Sequence, residues 1–190
     1  MLSGCGAQAP REPDNICAIF RQYPDWYEAA WQAERKWAVP VPVQLAIIHQ
    51  ESAFVDDARP PRRRLLWIIP WTRGSSAYGY AQAQDDTWDW YIRKTDNSGA
   101  DRDDIDDALD FVGWYVDTTH RMTGVARHDA YRNYLAYHEG QGGYRRGTYR
   151  NKDWLLQVAA KVERRAKRYA SQLGGCRAEL EEERTSWWPF

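Results

Sequence analysis

Glu51 is the residue whose position most clearly suggests chemistry. It follows an apolar run in the stretch "IIHQESAF", residues 47–54. A carboxylate that loses water there, and that also meets the negative end of a helix, is harder to ionise. Its pKa should therefore be raised, as a general acid needs if it is to protonate a leaving oxygen near neutral pH. On its position alone, Glu51 could equally be a solvated glutamate at a helix end.

A metal site is the first alternative to consider for the polar residues around it. His49 and Glu51 are two positions apart, so on a regular helix they point to different faces and cannot both bind one ion. His138 and Glu139 are adjacent and diverge in the same way. We therefore expect no metal ligands here, and no cofactor.

Helices should position these residues, because apolar side chains recur at helical spacing through most of the chain. Pro24-Asp25 opens the helical stretch "DWYEAAWQAERKWA", and "VQLAIIHQES" forms a short apolar helix that ends near Glu51. Further helices are predicted over "DDTWDWYIRKT", over "DDIDDALDFVGWYVDTTHRM" until Gly124, over "RHDAYRNYLAYHEG" until a glycine-rich turn, and from about Asp153 to Leu173, where Gly174 and Gly175 should end the last one. Residues 56–84 show no helical period and are predicted to form one long irregular loop region or a small irregular subdomain.

Composition excludes some classes of partner. The 190 residues include 26 basic and 27 acidic side chains, so no overall field favours nucleic acid or an anionic membrane surface. Locally, "RPPRRRLLWIIPWTRGSS", residues 59–76, combines arginines with aromatic residues, which can bind nucleic acid. The same combination suits another ligand that carries carboxylates equally well. We interpret it as a cleft wall or lid, with a docking surface for a partner protein as the alternative.

Three short blocks together resemble one known family. "ESAF" at 51–54, "GYAQ" at 79–82 and "AYHEG" at 136–140 are similar, in order and spacing, to the patterns E-S-x-F, G-L-M-Q and A-Y-N-x-G of the lytic transglycosylase branch of the lysozyme superfamily. The resemblance covers about residues 24–173. It implies a mainly α, lysozyme-like single domain of the goose-type lysozyme or SLT-like kind, with the long loop region inserted.

The resemblance also implies an activity and a set of site residues. Members of this family cleave the bond between N-acetylmuramic acid and N-acetylglucosamine in peptidoglycan without water and leave 1,6-anhydro ends. By resemblance, Glu51 is the acid and then the base, and the substrate-binding set is Ser52, Gln82, Tyr137 and His138. Ser52 would support the backbone or the substrate, and Tyr137 would hydrogen-bond and orient Glu51.

Two departures from the family pattern stand out. Tyr80-Ala81 replaces Leu-Met, and His138 replaces the asparagine that is understood to contact the sugar. A ring nitrogen of His138 could donate in its place. Two alternatives therefore stay open: a hydrolytic muramidase, and an inactive peptidoglycan-binding or scaffold protein of an envelope assembly. Peptidoglycan glycan strands are the expected partner in each case.

The cysteines indicate a location. The start "MLSGCG" resembles the end of a bacterial lipoprotein signal, with Cys5 as the lipidated residue. Setting Cys5 aside leaves Cys17 and Cys176 as a disulfide pair in an oxidising envelope, or as two free thiols in the cytosol. We expect a periplasmic protein held to the outer membrane through lipid only. The predicted organisation is a tether over 1–15, the lysozyme-like domain over 16–176 and a C-terminal tail over 177–190.

Overall fold

The computed structural model describes residues 8–59 and 76–187. These residues form seven α-helices and one short 3-10 helix, and the only extended pairing among them is a single bridge between Tyr78 and Ala83. In chain order the helices are α1 (Ile16–Gln22), α2 (Pro24–Trp37), α3 (Val41–Ser52), α4 (Asp85–Thr95), α5 (Ile105–Thr123), α6 (Ala130–Arg146) and α7 (Asp153–Trp187), with the 3-10 helix Thr148–Asn151 before α7. The mainly α, lysozyme-like fold class is confirmed.

Helix α3 lies at the centre of the molecule. It packs against α2, α5, α6 and α7. Every residue from 41 to 48 is buried, so this helix is apolar on all sides, as expected for a helix surrounded by others. Pro40 and Pro42 set its start, because a proline in the first turn removes no helical hydrogen bond. Burial on all sides fixes the helix, and only its last turn, at His49, Gln50 and Glu51, is partly exposed.

Helices α4 and α5 agree closely with their predicted ranges. Helix α4 begins at Asp85 and ends at Thr95, and α5 ends where Gly124 takes a left-handed conformation. Asp104 caps α5 through its side chain, which accepts from the amides of Asp106 and Asp107. These two helices bring aromatic side chains to the site described below.

Helix α6 continues further than predicted. The expected glycine-rich turn over 140–147 is confined to Gly140, whose φ of 69° and ψ of 157° interrupt the helix, and helical structure then resumes to Arg146. Gly147, with φ of 72°, ends it. The kink follows directly after His138 and Glu139, and it therefore changes the chain direction beside two candidate site residues.

The predicted end of the last helix is wrong. Helix α7 runs through Gly174 and Gly175 to Trp187, so most of the expected C-terminal tail is helical. Each glycine costs the helix about 1 kcal/mol. That cost is offset by packing beyond them, since Leu180 is buried and the carboxylate of Glu179 accepts two hydrogen bonds from Arg21, at 2.7 and 2.8 Å. Tertiary contacts thus override the local signal.

A disulfide joins the first and last helices, as predicted. Cys17 in α1 is bonded to Cys176 in α7, across a separation of 159 residues. In the chain-entropy model, closing so long a loop stabilises the fold by up to roughly 5 kcal/mol. The disulfide therefore closes a covalent loop that contains the helices between residues 17 and 176.

Candidate active site

Glu51 has the raised pKa that its position predicts. Its side chain is partly buried at the end of α3, and this burial raises the pKa to about 7 from an ordinary value of 4.5. A hydrogen bond from Tyr134 acts in the opposite direction and limits the rise. A carboxyl group with these properties is partly protonated near neutral pH, so it can both give and accept a proton there.

The residues that follow Glu51 hold the end of α3 in place. Ala53 and Phe54 both have positive φ, 52° and 64°, a conformation that residues other than glycine adopt at some cost. The Ser52 hydroxyl donates to the carbonyl of Ile48 at 3.3 Å and accepts from the amide of Phe54 at 3.1 Å. Phe54 is fully buried, and its ring meets those of Trp26 and His49. Of the two roles expected for Ser52, its contacts match support of the backbone.

The tyrosine that bonds to Glu51 differs from the predicted one. Tyr134 forms the hydrogen bond with Glu51, whereas the Tyr137 hydroxyl donates to the carbonyl of Ala81 at 2.6 Å. Both tyrosines lie on one face of α6, three residues apart. Tyr137 is close to Glu51, since burial and then the Glu51 charge raise the pKa of its phenol. Because a phenol has one proton to donate, Tyr137 links α6 to the "GYAQ" turn and Tyr134 orients the acid.

The "GYAQ" turn at 79–82 is shaped by Gly79 and closed by Gln82. Gly79 has a φ of 76°, and a Cβ there would meet the carbonyl oxygen of Arg102 at 2.0 Å, so no larger residue fits. The Gln82 side chain donates to the carbonyls of Ala58 and Gly79, each at 2.8 Å. Its amide nitrogen is thus occupied by the loop itself. The remaining carbonyl oxygen is the group with which Gln82 can meet a ligand.

The tyrosine that replaces the family's leucine is a core residue. Tyr80 is 1% exposed, and its ring packs edge-to-face against Trp26 at 5.8 Å between centroids. The neighbouring Ala81 is also buried, and its carbonyl receives the Tyr137 hydroxyl. This departure therefore changes the packing beneath the turn.

A cleft of about 260 Å³ opens beside these elements. Its lining comes from the turn, α4, α5 and α6, and comprises Gln82, Ala83, Gln84, Thr87, Phe111, Tyr115, Tyr137, His138, Glu139 and Gly140. Three of the predicted substrate-binding residues, Gln82, Tyr137 and His138, thus line one space. Tyr137 is also close to Glu51, which is not itself among the lining residues. The structure brings the three sequence blocks together.

His138 is held by a cluster that the sequence patterns did not reveal. Its Nδ1 lies 3.0 Å from Oε1 of Glu139, whose side chain is only 5% exposed. The same carboxylate accepts from Lys152 at 2.6 Å and from the Thr148 hydroxyl. Despite its burial, these donors lower the pKa of Glu139 to about 2. The carboxylate is therefore ionised across the physiological range, Nδ1 of His138 carries a proton, and Nε2 is left for other partners.

The ring of His138 also contacts the ring of Trp154. The two rings meet edge-to-face at 5.1 Å between centroids, and Trp154 is 54% exposed at the start of α7. The lysine and threonine of the cluster lie 13 and 9 residues after Glu139, beyond the Gly140 kink. Because the cluster depends on the kink at Gly140, its members show no helical periodicity in the sequence.

Three carboxylates other than that of Glu51, those of Asp85, Asp56 and Glu139, have partners of their own. Asp85 pairs with Arg102 at 2.8 Å, and a carboxylate oxygen of Asp56 accepts from the amide of Asp57. Among the described residues that line the cleft, Glu139 is the one acid, and it is bound to His138, Lys152 and Thr148.

Some predictions lie outside these residues or concern other kinds of site. Cys5, the predicted lipidation site, and residues 60–75 of the arginine-rich loop lie outside the described residues. Within residues 8–59 and 76–187, no group of three or more His, Cys, Asp or Glu side chains is arranged to hold a metal ion. No helix in that part of the chain is long and apolar enough to cross a membrane.

Comparison with known proteins gives one match. A family model described as "Transglycosylase SLT domain" matches residues 1–176. No curated protein and no solved structure matches the chain significantly.

Proposed function

Since the chain belongs to the transglycosylase SLT domain family, we propose that it cleaves peptidoglycan glycan strands without water, using Glu51 as acid and base. Membership supports a transglycosylase-type enzyme that acts on peptidoglycan in the bacterial envelope. The finer proposal is that it breaks the β-1,4 bond between N-acetylmuramic acid and N-acetylglucosamine and leaves 1,6-anhydro ends. The observation that carries it is a partly buried Glu51 whose pKa is raised to about 7, close to Tyr137, which lines a cleft together with other residues of the second and third family blocks.

The reaction needs one group that can give and then recover a proton. In the first step, protonated Glu51 gives its proton to the glycosidic oxygen, and the bond from that oxygen to C1 of the muramic acid breaks. In the second step, the 6-hydroxyl oxygen of the same sugar bonds to C1 and its proton returns to Glu51. No water is consumed, and Glu51 ends in its starting state. A pKa near 7 suits both steps.

The surroundings of Glu51 support this route over hydrolysis. Hydrolytic glycosidases usually use a second carboxylate to activate water or to attack the sugar. Glu139 is the one acid among the described cleft-lining residues, and its donors keep it ionised and turned toward Lys152. We therefore assign Glu139 to the positioning of His138.

His138 and Gln82 are proposed to bind the sugar. Glu139 orients the His138 ring, and Nε2 is then the nitrogen that can form a hydrogen bond with the sugar in the cleft. Gln82 offers its carbonyl oxygen from the other side. In this proposal His138 takes the position of the family's asparagine. Ser52 and Tyr137 act through the backbone that they hold.

The product tests the proposal directly. Purified sacculi digested in water enriched in heavy oxygen should yield new ends that weigh one water less than hydrolysed ones and carry no label. Labelled reducing ends would establish a hydrolytic muramidase instead. If the parent protein binds sacculi but releases nothing, the scaffold alternative holds. Glu51→Gln serves as the control, because it keeps the size of the side chain but has no proton to transfer.

The location of the protein is a separate proposal. We infer that Cys5 carries lipid and that residues 16–176 form the catalytic domain of an envelope protein attached to the outer membrane. The "LSGC" stretch supports the first part and the Cys17–Cys176 disulfide supports an oxidising compartment. Labelling with a radioactive or clickable fatty acid in a bacterial host tests it, with Cys5→Ser as the control; equal labelling of both proteins would contradict it. An envelope partner that recruits the enzyme stays open.

A further inference from the structure

A second concave surface lies next to the cleft, on another side of α5. It has a volume of about 320 Å³, within the range of small-ligand pockets. We call it the indole groove, and its lining comprises Trp37, Trp90, Lys94, Trp114, Thr118, Arg121 and Met122. Three of these seven residues are tryptophans, contributed by α2, α4 and α5. None of the seven belongs to the proposed catalytic site.

The tryptophans of the groove are held in fixed positions. The indole N–H of Trp37 donates to Asp110 at 2.7 Å. Trp37 also lies so close to α5 that a Cβ on Gly113 would meet its ring at 2.6 Å, so this glycine makes room for the indole. Trp90 packs edge-to-face on Trp114, with 4.7 Å between ring centroids. Trp114 is buried and forms the floor, while Trp37 and Trp90 are partly exposed walls.

The rim of the groove is positively charged. Lys94 is exposed and forms no ion pair with another described residue. Arg121 is 58% exposed and shares the single carboxylate of Asp117 with Arg127, so that group of three keeps a net positive charge. No acidic side chain lines the groove among the described residues. The carboxylate of Asp110, to which the Trp37 indole donates, also accepts from Lys36 and Tyr91.

The tryptophans and the positively charged rim of the groove together favour one chemical class of ligand. Exposed indole faces stack on flat apolar surfaces such as the faces of sugar rings, and Met122, 47% exposed, extends that surface. Two cations with no lining acid favour a ligand with carboxylates. A glycan strand whose sugars bear lactyl and peptide carboxylates has both properties. A neutral apolar ligand would leave Lys94 and Arg121 without a role.

We propose that the indole groove is a second binding site for peptidoglycan, which holds an acidic stretch of glycan apart from the catalytic cleft. The proposal rests on the proposed function, which names the polymer. Helix α5 separates the two sites: Phe111 and Tyr115 line the cleft, and the Trp114 ring lies 5.9 Å and 6.1 Å from theirs. An intact sacculus can occupy both sites, whereas a short soluble fragment fills only the cleft. The groove should therefore raise affinity for insoluble substrate through multivalency.

Charge reversal at Lys94 is the sharpest test. Lys94→Glu should weaken co-sedimentation of the whole protein with purified sacculi about fivefold at low salt, because an attraction becomes a repulsion. Release of product from a short soluble muropeptide should stay at the parent's rate. Arg93→Glu is the matched control: it reverses the same charge at the next position of α4, outside the groove, and should leave both measurements unchanged. Equal losses in the two variants would overturn the proposal.

Two more variants and two further probes distinguish glycan binding in the groove from binding of a membrane surface. Trp90→Ala, checked by circular dichroism, should also reduce sacculus binding, and Gly113→Ala, if it folds, should do so by displacing Trp37. Sacculi whose carboxylates have been converted to amides should bind the parent and Lys94→Glu equally weakly. Loss of binding to anionic phospholipid vesicles in Lys94→Glu, with sacculus binding intact, would assign the groove to a membrane surface and overturn the glycan proposal.

Binding to sacculi and release of product are measured separately, so the groove proposal and the proposed activity can fail independently. If the parent releases no product but binds sacculi through Lys94, the proposed activity fails and the groove survives. If it releases anhydro products while Lys94→Glu, Trp90→Ala and the parent bind sacculi alike, the groove proposal fails and the activity survives.

Discussion

The phenol hydroxyl of Tyr134 donates a hydrogen bond to the carboxyl group of Glu51. This bond favours the ionised carboxylate, whereas burial favours the protonated acid, and burial has the larger effect. The pKa of about 7 is therefore a balance that one tyrosine can tune. Because Tyr134 comes from α6 and Glu51 from α3, the acid strength of the site depends on how these two helices pack.

The balance predicts how activity depends on pH. The first step needs protonated Glu51, so kcat/KM for muropeptide release should fall as the pH rises through about 7. Tyr134→Phe removes the bond that favours ionisation, so the pKa of Glu51 should rise and the alkaline fall should move to higher pH. Tyr137→Phe is the control: its hydroxyl donates to Ala81, so the fall should stay in place. An alkaline fall that moves in Tyr137→Phe alone would show that the wrong tyrosine has been assigned.

Replacing Glu51 should separate catalysis from stability. Glu51→Gln should abolish turnover. In the parent, the folded-state pKa lies above the ordinary 4.5, so the folded protein binds more protons than the unfolded chain between about pH 4.5 and 7. Stability from this group is present below about pH 4.5, falls as the pH rises and is gone above about pH 7, a change of about 3 kcal/mol.

In Glu51→Gln the side chain is neutral at every pH, so the variant does not lose stability at this position as the pH rises. The difference in unfolding free energy between Glu51→Gln and the parent should therefore grow in favour of the variant from pH 4.5 to 7.5, as measured by urea denaturation. Glu163→Gln, a change at a surface pair with Lys167, should show no such trend. A parallel pH dependence in all three proteins would mean that Glu51 is ionised in the folded state at low pH.

Glu139 should act on substrate affinity. Glu139→Gln weakens the hold on His138 and leaves Lys152 without its charged partner, so the imidazole should lose its fixed orientation. We expect KM to rise about fivefold with kcat nearly unchanged, the pattern for lost binding. His138→Asn restores the family residue. In that background, adding Glu139→Gln should leave KM unchanged. A large loss of kcat with constant KM in Glu139→Gln would place Glu139 in the chemistry instead.

Gly79 should tolerate no side chain. Gly79→Ala places a methyl group against the carbonyl oxygen of Arg102 and keeps a positive φ, so it should destabilise the protein by about 2–3 kcal/mol. Thermal unfolding measures this. Gly99→Ala is the matched control, because nothing lies within 4 Å of a Cβ there. Activity of Gly79→Ala should also fall at temperatures where it is folded, since Gln82 closes the same turn; equal unfolding of the two variants would contradict the packing at Gly79.

The sequence predicted the parts of the site that rest on local pattern. Glu51, its apolar helix and its raised pKa follow from residues 41–54 alone, and so do the ranges of α4 and α5 from their own stretches. The partner of Glu51 does not, because Tyr134 and Tyr137 share a face of α6 and only the packing of α6 against α3 decides which hydroxyl reaches the acid. The Glu139 cluster depends on the Gly140 kink, and the length of α7 on contacts with α1, neither of which leaves a periodic trace.

The link between Cys17 and Cys176 also determines what one break in the backbone can do. Together with the peptide chain, it closes a ring that contains α2 to α6 and most of α1 and α7. A protease that cuts the backbone once anywhere inside this ring opens it but releases nothing: both fragments stay joined through sulfur. Such a nicked protein should migrate as one species on electrophoresis without reductant and as two with it. The acid on α3 and the tyrosine on α6 would stay in one molecule even when the chain between them is cut.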